Sequence, residues 1–182
     1  MQYTIKSSDL NQEAINAIQE RFGDANLVIN VEPNSQEDIL TDENCWKFID
    51  KLDWNAGEDS EIVSPLVIAL ANESIAHIYQ FADWLAKKLW LLDTPVYAEN
   101  LIKQDGFLSV DDFLYARCAV VANGQSFYDS IFNHPEQFPV SVTFEPLLYT
   151  PIRAYQKKTD KEMVYIPLFN YETYGNKEAW GK

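Results

Sequence analysis

The sequence predicts a mainly α-helical fold, a compact bundle of about six helices preceded by a small strand-helix-strand appendage. Apolar residues recur at intervals of three or four through most of the chain, and turn and capping residues divide it into helix-length pieces. Residues 110–122 are apolar on nearly every side, which is typical of a helix inside a bundle. We assign residues 1–32 to the appendage, residues 43–156 to the helical core domain and residues 157–182 to an aromatic-rich C-terminal tail packed on the core.

The appendage combines two periodicities. Residues 3–5 and 27–31 alternate apolar with polar side chains, which predicts two short strands. Between them, apolar residues at every fourth position predict a helix that Asp9 caps and Gly23 ends. Two strands alone are not stable in water. We therefore expect them to pack on the rest of the chain, or to form a homodimer through this N-terminal segment.

Capping residues predict where several core helices begin. Pro65 suits the first turn of a short helix, and Ser74 suits the N-cap of the longest one. Ser109, with Asp112 three residues later, predicts the start of the apolar helix. The Asn-Gly pair at 123–124 predicts its end.

Three further helices complete the predicted bundle. One begins near Trp46, one covers residues 127–132, and one covers residues 145–149, where Pro151 is expected to cut it short. Pro95 is interpreted as a break after the longest helix.

Composition and charge exclude several classes of function. The net charge is −14, and residues 1–62 carry 14 acidic but only four basic residues. Because an acidic surface repels phosphates, we expect no direct nucleic-acid binding and favour a basic protein partner. No apolar run is long enough to span a membrane, and residues 1–9 lack the basic and then apolar layout of a signal peptide, so we expect no membrane association and a cytoplasmic location. Cys45 and Cys118 are interpreted as buried free thiols.

A resemblance to a known family rests on three stretches. Residues 111–124 read Asp-Asp-Phe-Leu-Tyr-Ala-Arg-Cys-Ala-Val-Val-Ala-Asn-Gly, an acidic cap followed by Phe-x-Tyr-x-Arg, aliphatics and Gly. Residues 45–49 and 133–136 add an aromatic opening and an Asn-x-Pro turn. Together they resemble a bacterial domain family of unknown function, DUF4240, over roughly residues 43–156. The resemblance supports the helical fold and implies no activity.

Arg117 is the most unusual residue of the predicted core. It is the one charge between Phe113 and Ala122, and a buried guanidinium is costly unless it is paired. We expect a carboxylate partner from elsewhere in the fold, and three are candidates: Asp93, Asp105 and Glu145. The alternative is an anion-binding or catalytic role for Arg117.

The other polar candidates have simpler interpretations. Asp111 and Asp112 are weak candidates for metal ligands or an acid–base pair, but adjacent acids at a helix start more often complement its dipole. His77 is expected in solvent and His134 in a turn. Neither histidine lies in a zinc-binding pattern.

Two functions remain open on the sequence alone. The first is a non-catalytic protein-interaction or regulatory module with an acidic surface. The second is a small hydrolase or an anion- or ligand-binding domain that uses Arg117 with nearby carboxylates. Since the sequence contains no phosphate loop, catalytic triad, metal motif or dinucleotide fingerprint, we expect no cofactor and have no specific reason to assign catalysis.

Overall fold

A computed structural model of the protein describes residues 10–23 and 39–181. The chain divides into two compact units, residues 1–34 and residues 35–182. The first contains helix α1, Gln12–Phe22, whose N-cap Asn11 accepts a hydrogen bond from the amide of Ala14 at 3.0 Å. The predicted helix is therefore present, but Asn11 caps it rather than Asp9. The strands predicted over residues 3–5 and 27–31 lie outside the described residues.

The second unit is helical, as predicted. Its α-helices are α2 Asp42–Ile49, α3 Asp59–Ile62, α4 Ser64–Asn72, α5 Ile75–Leu91, α6 Pro95–Asp105, α7 Val110–Ala122, α8 Gln125–Asn133 and α9 Thr150–Thr159. Two short 3-10 helices, Pro135–Gln137 and Glu145–Tyr149, lie between α8 and α9. Within the described residues there is no β-strand.

The predicted number of about six helices is too low. Across residues 42–159, which the structure describes without a gap, α3, α6 and α9 are additional, and the helix predicted over residues 145–149 is a 3-10 turn. For α6 and α9 the reason is the role of proline. Pro95 and Pro151 occupy first-turn positions of α6 and α9, where a missing N–H costs nothing, so they begin helices rather than end them.

The predicted helix starts at Ser74 and Ser109 are confirmed. The Ser74 hydroxyl accepts a hydrogen bond from the amide of His77 at 3.1 Å, at the start of α5. The Ser109 hydroxyl accepts one from the amide of Asp112 at 3.3 Å, at the start of α7. Asn123 is the C-cap of α7, where the sequence predicts the end of that helix.

Helix α7 is the centre of the hydrophobic core. Nine of its 13 residues are buried, and its Phe113 has no exposed surface. Helices α5 and α8 and the 3-10 helix Glu145–Tyr149 pack against it, while α9 packs on α4 and α5. From α5, Phe81 and Leu89 also have no exposed surface. The prediction that the apolar helix lies inside the bundle is confirmed.

One lysine joins α2, α5 and α8. The Lys88 ammonium lies 2.8 Å from Asp42 Oδ1 and 5.2–5.6 Å from the ring centroids of Trp46, Trp84 and Tyr128. Both indole N–H groups donate to the Asp42 carboxylate, at 3.0 and 2.7 Å. We call these five residues the Lys88 cluster. The Asp42 carboxylate thus contacts the Lys88 ammonium and both indole N–H groups.

The chain after α9 crosses the core without regular structure. This C-terminal segment, residues 160–181, buries Met163 and places several aromatic rings against the helices. Its Gly175 has no room for a side chain, because an added Cβ would clash with the Asn170 carbonyl. No helix of the described residues has the length and apolar composition to cross a bilayer.

Candidate functional site

The Arg117 guanidinium is fully buried and hydrogen-bonded. It has no exposed surface. Its Nη1 donates to the carbonyls of Leu89 and Tyr171, both at 2.9 Å, and its Nη2 donates to the Thr173 hydroxyl at 3.0 Å. Two of these three acceptors belong to the C-terminal segment. Arg117 therefore holds that segment against α7 and α5.

Asp93 is the carboxylate partner of Arg117. Its Oδ1 lies 4.0 Å from Nη2, and neither side chain is exposed. The same carboxylate accepts hydrogen bonds from the amides of Tyr174 and Asn176 and from Trp180 Nε1, at 2.8–3.1 Å. Burial lowers the pKa of Arg117 to about 10 while the Asp93 charge raises it, so the guanidinium remains protonated at neutral pH. The buried pair anchors the C-terminal segment from both sides.

This geometry decides between the roles considered for Arg117. Of the three predicted partners, Asp93 pairs with it, whereas Asp105 is exposed and Glu145 lies in a cleft elsewhere. The alternative function requires a solvent-accessible Arg117, and the side chain is 0% exposed. A guanidinium without exposed surface has no contact with dissolved anions.

Asp111 and Asp112 lie in the first turn of α7 and are exposed. In that position carboxylates interact favourably with the helix dipole. No group of three or more metal-ligating side chains occurs among the described residues. The charge of Asp111 reaches Tyr115 one turn later and helps to raise the pKa of that phenol.

The two histidines lie at or near the surface, and the two cysteines are buried. His77 is partly buried rather than solvated, because its Nδ1 lies 2.9 Å from Glu73 Oε2. His134 is exposed at the end of α8, in the predicted turn. Cys45 and Cys118 are free and buried, as predicted, and burial raises the pKa of each thiol to about 12.

An open cavity of about 310 Å³ lies beside α7, and we call it the polar cleft. Side chains from four elements line it: Asp59 from α3, Tyr115 from α7, Glu145 and Tyr149 from the 3-10 helix, and Arg153 from α9, with Thr143 and Pro146 completing the wall. Tyr115 and Arg117 are two positions apart on α7, which separates them by about 200° around the helix. One therefore lines the cleft while the other enters the core.

Glu145 is the centre of the polar cleft. The Tyr149 hydroxyl donates to its Oε1 at 2.8 Å, and Tyr115 lines the same cleft. The pKa of both phenols is raised: the hydrogen bond to Glu145 is the largest cause for Tyr149, and burial is the largest cause for Tyr115. The Tyr149 phenol thus holds the carboxylate in place.

Arg153 contributes the positive charge of the cleft. Its guanidinium lies 6.0 Å from the ring centroid of Tyr149. Among the described residues, no carboxylate lies within ion-pair distance of it. The cleft therefore contains two carboxylates, those of Asp59 and Glu145, and one guanidinium that has no carboxylate partner among residues 10–23 and 39–181.

A row of aliphatic side chains projects from the C-terminal segment. Val164, Ile166 and Leu168 are 81%, 85% and 77% exposed, and we call them the aliphatic row. The residues between and beside them, Met163, Tyr165, Pro167 and Phe169, are buried or half-buried. This alternation is the two-residue period of an extended chain with one face on the core.

Hydrogen bonds and ring contacts fix the segment that carries the row. The Tyr165 hydroxyl donates to Asp83 Oδ1 at 2.8 Å, and the Tyr79 hydroxyl donates to the carbonyl of Val164 at 3.0 Å. The ring of Phe169 lies 5.4 Å from that of Trp90. Because these anchors all lie on the inward side, the aliphatic row is presented outward from a fixed backbone.

Comparison with known proteins places this helical unit in a family. The family model described as "Protein of unknown function (DUF4240)" matches residues 40–165. The chain belongs to the DUF4240 family. The match confirms the resemblance, and it includes Asp93, Arg117 and every residue that lines the polar cleft. No curated protein and no solved structure matches the chain.

The sequence analysis predicted neither the polar cleft nor the aliphatic row of this DUF4240 chain. The cleft residues come from positions 59 to 153, and a helical pattern relates only near neighbours. The spacing of Glu145, Tyr149 and Arg153, four residues apart each time, is the one local signal that points to a shared face. For the aliphatic row, the signal in the sequence is the two-residue period over residues 163–169. The many aromatic residues around it obscure this period.

Proposed function

We propose that this DUF4240 chain is a non-catalytic protein-interaction module that binds its partner through the aliphatic row. The observation that carries the proposal is the exposure of Val164, Ile166 and Leu168, about four fifths each, on a segment whose other side is anchored. Single exposed aliphatic residues are ordinary on protein surfaces, but contiguous ones mark interaction sites. Burying each of these side chains is worth on the order of 1.5–3 kcal/mol.

The main chain of this segment supports the same proposal. Among the described residues, no backbone–backbone hydrogen bond involves residues 163–169, and the bond from the Tyr79 hydroxyl to the Val164 carbonyl is made by a side chain. Extended backbone with unpaired donors and acceptors is the template on which a partner strand adds. Pro167 removes one donor, so pairing is limited to a short stretch.

The charge of the protein favours a basic partner. The net charge is −14, and the acidic residues between positions 42 and 61 are exposed. Such a surface speeds encounter with a positively charged protein and disfavours acidic ones. The association is therefore expected to weaken as salt screens these charges.

The test compares partner capture by three forms of the protein. The triple variant Val164→Ser, Ile166→Ser, Leu168→Ser removes the aliphatic row, and the double variant Val96→Ser, Phe107→Ser is the matched control, since it removes two apolar side chains that are 55% and 65% exposed elsewhere. Affinity purification from cells of the native host, with quantitative identification of co-eluting proteins, gives the readout. We expect at least one protein to be retained by the wild type and the control and lost from the triple variant.

Two further measurements make the result decisive. Urea unfolding should show each Ser substitution within about 0.5 kcal/mol of neutral, because surface substitutions rarely do more. The retained protein should also elute as salt is raised to about 0.5 M. Equal capture by the triple variant and the wild type would contradict the proposal.

A further inference from the structure

The polar cleft holds charges of both signs that do not neutralise each other directly. Glu145 accepts a hydrogen bond from the Tyr149 phenol, but a carboxylate offers about four lone-pair sites, so acceptor capacity remains. Asp59 adds a second carboxylate to the cleft wall. An ammonium group placed here would meet the carboxylates of Glu145 and Asp59, which attract a cation.

Arg153 offers the complementary group. A guanidinium has five N–H donors in a planar fork that matches a carboxylate. Among the described residues, the Arg153 guanidinium donates no hydrogen bond to another residue. It lies over the ring of Tyr149. Its donors are therefore available to a ligand in the cleft.

The mixed charge selects among ligand classes. A simple cation is attracted by Asp59 and Glu145 but repelled by Arg153. A simple anion is attracted by Arg153 but repelled by the two carboxylates. A molecule with both an ammonium and a carboxylate satisfies both groups. The volume of about 310 Å³ is at the lower end for small-molecule sites, which restricts the ligand to a small one.

We propose that the polar cleft is a binding site for a free amino acid, with the ligand ammonium on Glu145 and the ligand carboxylate on Arg153. This goes beyond the proposed protein-interaction function and does not depend on it, because the cleft and the aliphatic row share no residue. The two surfaces belong to one protein that binds a partner and a small molecule at separate places.

Isothermal titration calorimetry of the full chain tests the proposal. The probes are the twenty L-amino acids, together with n-butylamine and butyrate as ligands of a single charge. We expect at least one amino acid to bind at millimolar concentration or below, and butylamine and butyrate to bind at least about tenfold more weakly, since each lacks one charge-assisted contact.

Two neutralising variants and two matched controls locate the site. Glu145→Gln and Arg153→Gln should each weaken binding at least about tenfold. Lys157→Gln and Glu162→Gln, which remove exposed charges outside the cleft lining, should leave it within about twofold. Urea unfolding checks that each variant is folded.

The opposite results would overturn the proposal. It fails if no amino acid gives measurable heat at millimolar concentration. It also fails if butylamine or butyrate binds as tightly as the best amino acid, or if the Arg153→Gln and Glu145→Gln variants bind like the wild type. The capture experiment on the aliphatic row uses other residues and another readout, so either proposal can fail alone.

Discussion

Burial has different effects on the charge of the guanidinium and of the thiols in the core. Arg117 keeps its charge, because Asp93 and four oxygen acceptors replace the water it loses. Cys45 and Cys118 have no cationic partner strong enough to offset burial, so their pKa values rise to about 12. At the residue scale, the buried Arg117 therefore stays charged, whereas the buried Cys45 and Cys118 stay neutral.

The cysteines should be unreactive in the folded protein. At pH 8 a pKa of about 12 leaves about one thiol in ten thousand ionised, and the thiolate is the reactive species. Titration with a chromogenic disulfide reagent should give no fast reaction in buffer. The same titration in denaturing urea serves as the control and should give two thiols per chain. A fast stoichiometric reaction of the native protein would disprove this.

The Asp93→Ala substitution should be strongly destabilising. It leaves the Arg117 charge buried without its carboxylate and removes the acceptor of three donors from the C-terminal segment. Breaking such a buried pair costs about 3–5 kcal/mol. Urea unfolding followed by tryptophan fluorescence measures the loss. Glu99→Ala, which breaks an exposed ion pair with Lys103, is the control and should cost no more than about 1 kcal/mol.

At the scale of elements, proline position explains which helices the sequence predicted. Pro65 was interpreted as a first-turn residue and does begin α4. Pro95 and Pro151 were interpreted as breaks in the helical pattern before them, yet each lies in the first turn of a new helix. A proline ends a helix before it but can occupy the first turn of a helix after it. Whether a new helix follows depends on the packing of the residues after the proline.

The Lys88 cluster is the element-scale contact that sequence patterns do not reveal. Its members lie on α2, α5 and α8, and its charges are separated by more than forty residues. Burial raises the pKa of Asp42, but hydrogen bonds from Lys88 and both tryptophans, with the Lys88 charge, outweigh it and leave the pKa below its ordinary value of 3.8. The carboxylate is therefore bound more strongly in the folded state than in the unfolded chain.

Stability should fall in acid partly through Asp42. Because its folded pKa is lowered, its contribution is present above about pH 3.8 and is lost as the pH falls through the folded value. The Asp42→Asn variant should show a shallower loss than the wild type between about pH 4 and pH 2.5, measured as the urea midpoint. Asp105→Asn, at an exposed position, is the control. Parallel curves for wild type and Asp42→Asn would exclude this contribution.

At the scale of the whole molecule, charge is unevenly distributed along the sequence of the helical unit, although Asp59 and Arg153 both line the polar cleft. Exposed acids are concentrated between residues 42 and 61, whereas Arg153, Lys157, Lys158 and Lys161 lie on or just after α9. The sequence shows this distribution directly, and it shows the buried character of α7. It did not locate the polar cleft or the aliphatic row, because both depend on which segments the fold brings together.

The anchors of Asp93 and Arg117 have a consequence for synthesis. Their acceptors and donors at residues 171–180 are translated well after both charges. A nascent chain that has reached α9 already has the apolar surfaces of α4, α5 and α7 but has no partner for much of the buried guanidinium. We therefore expect the helical unit to reach its full stability only after those later residues have been synthesised.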